Sequence, residues 1–265
     1  EEYFLTDKPE IHNCKRCGKL VDETHYIVPE FGFVSTSAFK KVKSKKPVKF
    51  SFSRRFFSED NKMIGDLPYH THQFKNALLN LKSFSDGKLT VINEGTNHNG
   101  FFICETCGYA SPNLSKREHD TFYGKKCLAP QFKKHISLGY SFKTDILKLH
   151  FEICDKRLND ETLWYSLLYT ILEKMASLYS IDRDDIDGCL YFPRNTNVEL
   201  IFFDDFPGGA GHVKRAGENI LENPEYFFSE CLDFVSNCEC GEESSCYSCL
   251  RSYKNQLFHQ KLKRK

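Results

Sequence analysis

The 265-residue sequence predicts an α+β protein built in two parts, divided near residue 140. Three observations predict it. The segment "TDILKLHFEI" at 144–153 alternates apolar and polar residues, the period of a strand with one buried face. The segment 161–179 repeats apolar residues at helical spacing. Upstream of residue 140 the chain is instead irregular, aromatic, basic in patches and marked by paired cysteines, among them Cys14, Cys17, Cys104, Cys107 and Cys127. Residues 1–139 are therefore expected to form a loop-rich part and residues 140–265 an α/β domain.

In the second part, Leu147, Leu149, Phe151 and Ile153 define one face of the strand, and Lys148, His150 and Glu152 the other. Asn159 is placed to cap the following helix, with Asp160 and Glu161 in its first turn, where negative charge suits the helix dipole. Its predicted buried stripe is Leu163, Trp164, Leu167, Leu168, Ile171, Leu172, Met175 and Leu178. Strands are predicted at 187–193 and 197–204, a helix over 210–221, and a last helix from Pro224, a residue suited to a first turn. Phe227, Phe228, Cys231, Leu232 and Val235 give that helix its stripe.

Charge and composition narrow the function. Net charge is +1, hydrophobic residues make up 40% and charged ones 28%, values of a soluble globular chain. No apolar run approaches the roughly 18 residues of a membrane span, and the N-terminus lacks a secretory signal pattern. A cytoplasmic location is expected, and the initial Glu1 suggests a piece of a longer protein. Nine of the twelve cysteines fall in or near tight clusters, which in a reducing compartment points to metal rather than disulfides.

The spacing C-x-C-x5-C-x2-C at Cys238, Cys240, Cys246 and Cys249 supplies four soft ligands for one tetrahedral Zn²⁺. An iron-sulfur cluster uses the same thiolates. "CKRCG" and "CETCG" read as two knuckles of a zinc ribbon, giving Cys14, Cys17, Cys104 and Cys107 as the preferred second set across an 86-residue gap. A local alternative is Cys104, Cys107, His119 and Cys127. Two zinc ions are expected. Cys154, Cys189 and Cys231 sit among apolar neighbours and read as core.

Segment 39–57 holds eight Lys or Arg, no acid, and five phenylalanines. Cations neutralise phosphates and aromatic faces stack bases, so Lys40, Lys41, Lys43, Lys45, Lys46, Arg54 and Arg55 are candidate nucleic-acid contacts. The C-terminal run "LRSYKNQLFHQKLKRK" adds six more cations, among them Arg251 and Lys254. It reads as a basic helix that docks Leu250, Tyr253, Leu257 and Phe258 on the body. "FFDDFPGGAGHVKR" sets Asp204 and Asp205 at a strand end before a glycine turn. Amides at such a helix start can hold phosphate. Asp204, Asp205 and His212 can also be read as a metal-dependent hydrolytic centre, but a tight structural turn is preferred. The "DRDDID" stretch at 182–187 reads as a solvated turn.

"DDFPGGAGH" followed by "CEC…SCYSCLRSYKNQ…H" resembles the MZB domain, the zinc-binding domain named for mitomycin-repair-factor helicases. "YIVPEFGFVS", "GFFICETCGYA" and "LGYSFKTDILKL" are similar to the region preceding that domain in large helicase-related proteins, including the DISARM anti-phage component. The resemblance implies zinc at Cys238, Cys240, Cys246 and Cys249. It also implies an accessory region associated with DNA, and with a superfamily 2 motor in cis or in trans, in DNA repair or antiviral defence. The sequence contains no G-x-x-x-x-G-K-[ST] motif, so ATP hydrolysis is assigned to another part or partner. A pure protein-interaction module is the remaining alternative.

Overall fold

The computed structural model describes residues 11–13, 20–22, 26–28, 54–59, 68–95, 99–111, 118–121, 123–128, 130–153, 160–191 and 198–264. Its strands are β1 (Ile11–Asn13), β2 (Leu20–Asp22), β3 (Tyr26–Ile27), β4 (Arg54–Glu59), β5 (His70–Gln73), β6 (Ala77–Asn93), β7 (Phe101–Cys104), β8 (Ala110–Ser111) and β9 (Phe132–Ile153). Helix α1 (Glu161–Leu178), strands β10 (Ile186–Tyr191) and β11 (Glu199–Asp204), helices α2 (His212–Glu222) and α3 (Pro224–Ser236), and a 3-10 helix (Gln256–Lys261) follow.

The chain forms two compact units. The first comprises residues 1–55 and 91–140, the second residues 56–90 and 141–265. In the first, β1 and β2 pair antiparallel. There β7 pairs antiparallel with β8 and with the start of β9, while β3 runs parallel to β9 at Ser137 and Leu138.

The second unit is built on a sheet ordered β10-β11-β9-β6-β4, with β5 paired to β6. Strand β11 is antiparallel to both neighbours, with Phe202 opposite Gly188 on one side and Leu147 on the other. Leu147, Leu149 and Phe151 pack with Trp164, Leu168, Ile171, Leu172 and Met175 of α1 in the main core. Burying each such side chain contributes about 1.5–3 kcal/mol, so this contact is the principal reason the sheet and helix hold together.

Three features differ from the sequence reading. The face of β9 opposite the helices is buried as well. Ile146 joins Phe84, Leu89, Cys189, Ile201 and Phe203 there, and Lys148, 1% exposed, sets its ammonium over the rings of Phe84 and Tyr191. Helix α1 is capped by Asp160, whose carboxylate accepts from the Thr162 amide at 2.9 Å; Asn159 lies outside the described residues. Leu163 and Leu232, placed in buried stripes from the sequence, are 36% and 63% exposed.

Strand β6, in a region read as loop, escapes a period-two reading for a local reason. Leu79 and Leu81 face the helices, and Phe84 faces the other side. Asp86 then takes φ +58°, after which odd-numbered Leu89 lies in the same cluster as even-numbered Phe84. A one-residue irregularity of this kind reverses the phase of a strand.

Candidate metal centre

Helix α3 ends at Asn237, whose amide donates to Asp233, and the next residue is Cys238. The chain passes Cys240, turns at Gly241 (φ +73°), and returns through a tight turn in which the Cys249 and Arg251 amides donate to the Cys246 carbonyl. Cys249 and Leu250 insert into the main core and anchor the loop. The four sulfurs are thereby gathered, with Cys238–Cys240 and Cys238–Cys246 at 3.6 Å, Cys240–Cys249 at 3.7 Å and Cys246–Cys249 at 3.8 Å.

These distances match a tetrahedral metal site. A Zn–S bond of about 2.3 Å gives a tetrahedral S···S edge of about 3.8 Å, whereas a disulfide would bring two sulfurs to about 2.05 Å. All four thiols are free. Backbone amides point at the sulfurs, that of Ser248 at Cys246 and that of Cys246 at Cys249. The Ser248 amide is the leading influence that brings the Cys246 thiol down to about 7, while burial pushes Cys249 up to about 12. Four thiolates this close repel one another, and a divalent cation removes that penalty.

The tail secures the loop. Arg264 donates from Nη1 to the Val235 carbonyl at 2.7 Å and from Nε to the Gly241 carbonyl at 3.0 Å, joining the end of α3 to the metal loop. Asn255, fully buried, donates to the Leu250 carbonyl and accepts from the Ser252 amide, both at 2.8 Å, and its Oδ1 lies 3.0 Å from His259 Nε2. Sequence reasoning missed both residues as supports, although the N-x3-H spacing was in plain view.

The basic C-terminal run is not one continuous helix. It forms turns and the 3-10 helix, and its cations among the described residues are engaged within the unit. Lys254 pairs with Asp184 at 3.2 Å and Asp205 at 3.4 Å, Lys261 with Glu161, and Lys263 with Glu243 at 2.7 Å. Arg251 donates to Ser245 at 3.0 Å. Of the predicted docking residues, Leu250 is buried and Phe258 stacks on Tyr165, but Tyr253 and Leu257 are 44% and 50% exposed. The groove beside Cys238, Cys240 and Cys246 carries Glu230, Asp233 and Glu239 against Lys174 alone, a sign of charge that disfavours phosphate.

The glycine turn is filled by the protein's own carboxylates. Asp204, with no exposed surface, accepts from the amides of Ala210 at 2.6 Å, His212 at 3.1 Å and Val213 at 2.9 Å. Asp145 accepts from Gly211 at 2.9 Å. Gly209 (φ +74°) passes so close that an added Cβ would lie 2.4 Å from the Asp145 carboxylate, so only glycine fits. The amides that could have held a phosphate are occupied. Asp205 is turned to Lys254, and His212 Nε2 lies 3.7 Å from Asp185, so Asp204, Asp205 and His212 do not converge on a common point.

In the first unit a second group of donors comes together: Cys104, Cys107, His119 and Cys127, all mutually within 4.8 Å. Burial acts to raise the Cys104 thiol, but the Cys107 and Thr106 amides together with the Cys107 and Cys127 thiols outweigh it and bring it to about 6. This is the local set weighed from the sequence. Cys14 and Cys17 lie outside the described residues, as do Lys40, Lys41, Lys43, Lys45, Lys46 and Cys154. Arg54 and Arg55 belong to β4, of which only the backbone is described. Cys189 and Cys231 are core residues, 6% and 4% exposed. No helix among the described residues is long and apolar enough to cross a membrane.

A segment that packs a helical layer on an antiparallel sheet and ends in a closed four-cysteine loop defines a zinc-binding domain. Residues 167–250 match the family model of MZB, the MrfA Zn-binding domain. The chain is 26% identical over 211 residues to the Druantia protein DruE of Escherichia coli (strain UMEA 4076-1), covering 68% of this chain and 11% of that protein. It thus spans about a tenth of that relative's length. Two crystal structures of the DUF1998 helicase MrfA also align. The one bound to DNA has 16% identity and a TM-score of 0.41 over 76% of this chain and 22% of that chain. The one bound to DNA and AMPPNP has 12% identity and a TM-score of 0.30 over 74% and 20%.

Proposed function

We propose that this chain is the zinc-stabilised accessory region of a helicase-type protein, acting in the cytoplasm in DNA repair or antiviral defence. It contributes nucleic-acid grip or docks to a motor carried in cis or in trans. The observation that carries this reading is the closed tetrahedron of Cys238, Cys240, Cys246 and Cys249 inside the segment that matches the MZB family model. Zinc held there fixes the loop after α3 and the tail strapped across it. With four protein ligands the metal has no open position for water, so its part is structural. The similarity to DruE covers 68% of this chain, more than the family match at 167–250, and supports a shared accessory region rather than an isolated zinc loop.

Nucleic-acid contact is assigned to the 39–57 tract and not to the tail, because Lys254, Lys261 and Lys263 are each committed to a carboxylate. Replacing Lys45, Lys46, Arg54 and Arg55 together with Ala is expected to weaken DNA binding by the full chain. The slope of log affinity against log salt should fall by up to about 4 × 0.9 for duplex DNA. Unchanged affinity and slope would reject the tract as the contact surface. A partner retained after nuclease treatment, with no DNA shift, would favour the interaction-module alternative.

A further inference from the structure

We propose that Cys104, Cys107, His119 and Cys127 form a second zinc site, complete without Cys14 and Cys17. It lies outside the 167–250 family match, and the role proposed above does not depend on it. Two of its donors come from a knuckle. Strand β7 ends at Cys104, the Gly108 amide donates back to the Cys104 carbonyl at 2.8 Å with φ +74°, and the Cys104 amide donates to Tyr109 at 2.8 Å. That turn brings Cys107 round beside Cys104.

The other two donors face each other across a hairpin. The Thr121 amide donates to Lys125 at 2.7 Å, the Gly124 amide to Thr121 at 2.9 Å, and the Cys127 amide to the His119 carbonyl at 3.1 Å. His119 and Cys127 are thus cross-strand partners whose side chains reach the knuckle together. Cys104 and Cys127 sulfurs stand 3.9 Å apart, and His119 Nε2 lies 3.1 Å from the Cys107 sulfur. The first distance excludes a disulfide and fits the edge of a metal tetrahedron.

The imidazole is fixed by its neighbours. Tyr109 stacks on it at 4.5 Å and 19°, and Phe132 meets it edge-on at 5.4 Å. His119 is 7% and Cys104 1% exposed. Burying Cys104 and His119 beside the half-buried Cys107 and Cys127 with no cation among them is costly, whereas three thiolates and one imidazole are an established composition for structural zinc. Four donors close the coordination sphere, so a tetrahedral ion here has no seat left for Cys14 or Cys17.

The test uses the full 265-residue chain. Elemental analysis of the folded protein is expected to give two zinc ions per chain. The Cys14→Ser/Cys17→Ser double variant should retain both, and His119→Ala should retain one. In the Co²⁺-substituted protein, His119→Cys should keep two ions while its d–d bands move to longer wavelength, since thiolate is the weaker-field ligand. One zinc in the unaltered chain, loss of an ion on replacing Cys14 and Cys17, or unmoved bands in His119→Cys would each overturn the proposal. If His119→Ala fails to fold, the other two variants still decide.

Discussion

Replacing Asp204 with Ala tests whether the glycine turn is a structural clamp. The carboxylate accepts three amides, from Ala210, His212 and Val213. A hydrogen bond to a charged acceptor contributes about 1.5–3 kcal/mol, and an orphaned buried donor costs about 1–3 kcal/mol. The three losses do not simply add. Val213 is fully buried, so its amide would stay dry, whereas Ala210 is exposed and His212 half-buried, and both admit water. The substitution also relieves the cost of holding a buried charge, which offsets part of the loss. Weighing these, together with a smaller loss at the N-terminal end of the α2 dipole, gives a destabilisation of about 3–5 kcal/mol. Trp164 is the sole tryptophan and is 1% exposed in the core of the same unit, so its fluorescence during urea unfolding at saturating zinc reports the change. Asp205→Ala is the control. That side chain is 44% exposed, and its ion pair with Lys254 contributes no more than about 1 kcal/mol. An Asp204→Ala variant within about 1 kcal/mol of the parent, or no worse than Asp205→Ala, would refute the clamp.

Three further outcomes follow from the same geometry. Asn255→Ala leaves the Leu250 carbonyl and Ser252 amide without their partner and is expected to cost about 2–3 kcal/mol, read by the same unfolding curve. Arg264→Ala removes the strap between α3 and the metal loop. Zinc transfer to a competing chelator should then be about 10-fold faster, with no change expected in the fold. Stability should also fall on the alkaline side. Burial pushes Tyr165, Tyr179 and Cys231 up to about 12 and raises Tyr169 and Cys189 as well. Unfolded thiols and phenols lose protons from about pH 8.5 and 10. Between those values and 12 the unfolded state binds fewer protons than the folded state, so stability declines as pH rises. A urea midpoint that stays level from pH 8 to 11 would contradict this burial.

Much of the second unit was legible from local spacing alone. The α1 stripe, the β10 and β11 strands, Pro224 at the start of α3 and the four cysteines of the metal loop each depend on residues within about a dozen positions, where the backbone period dictates which side chains meet. The sequence could not show which charges were already spoken for. Lys254 meets Asp184 and Asp205, and Arg264 meets Val235 and Gly241, across chain distances that no spacing rule covers. The same limit applied to the first unit, where Cys104 and Cys107 had two candidate pairs of partners. The hairpin that sets His119 opposite Cys127 brings that pair within reach, a meeting that no spacing rule foretells, whereas Cys14 and Cys17 lie outside the described residues. In the glycine turn, residue types suited to a phosphate seat became a closed clamp because Asp145, 66 residues away in sequence, lies on the adjacent strand. The chemistry of the donors is written in the chain, but which donor meets which acceptor is decided when the sheet brings distant strands side by side.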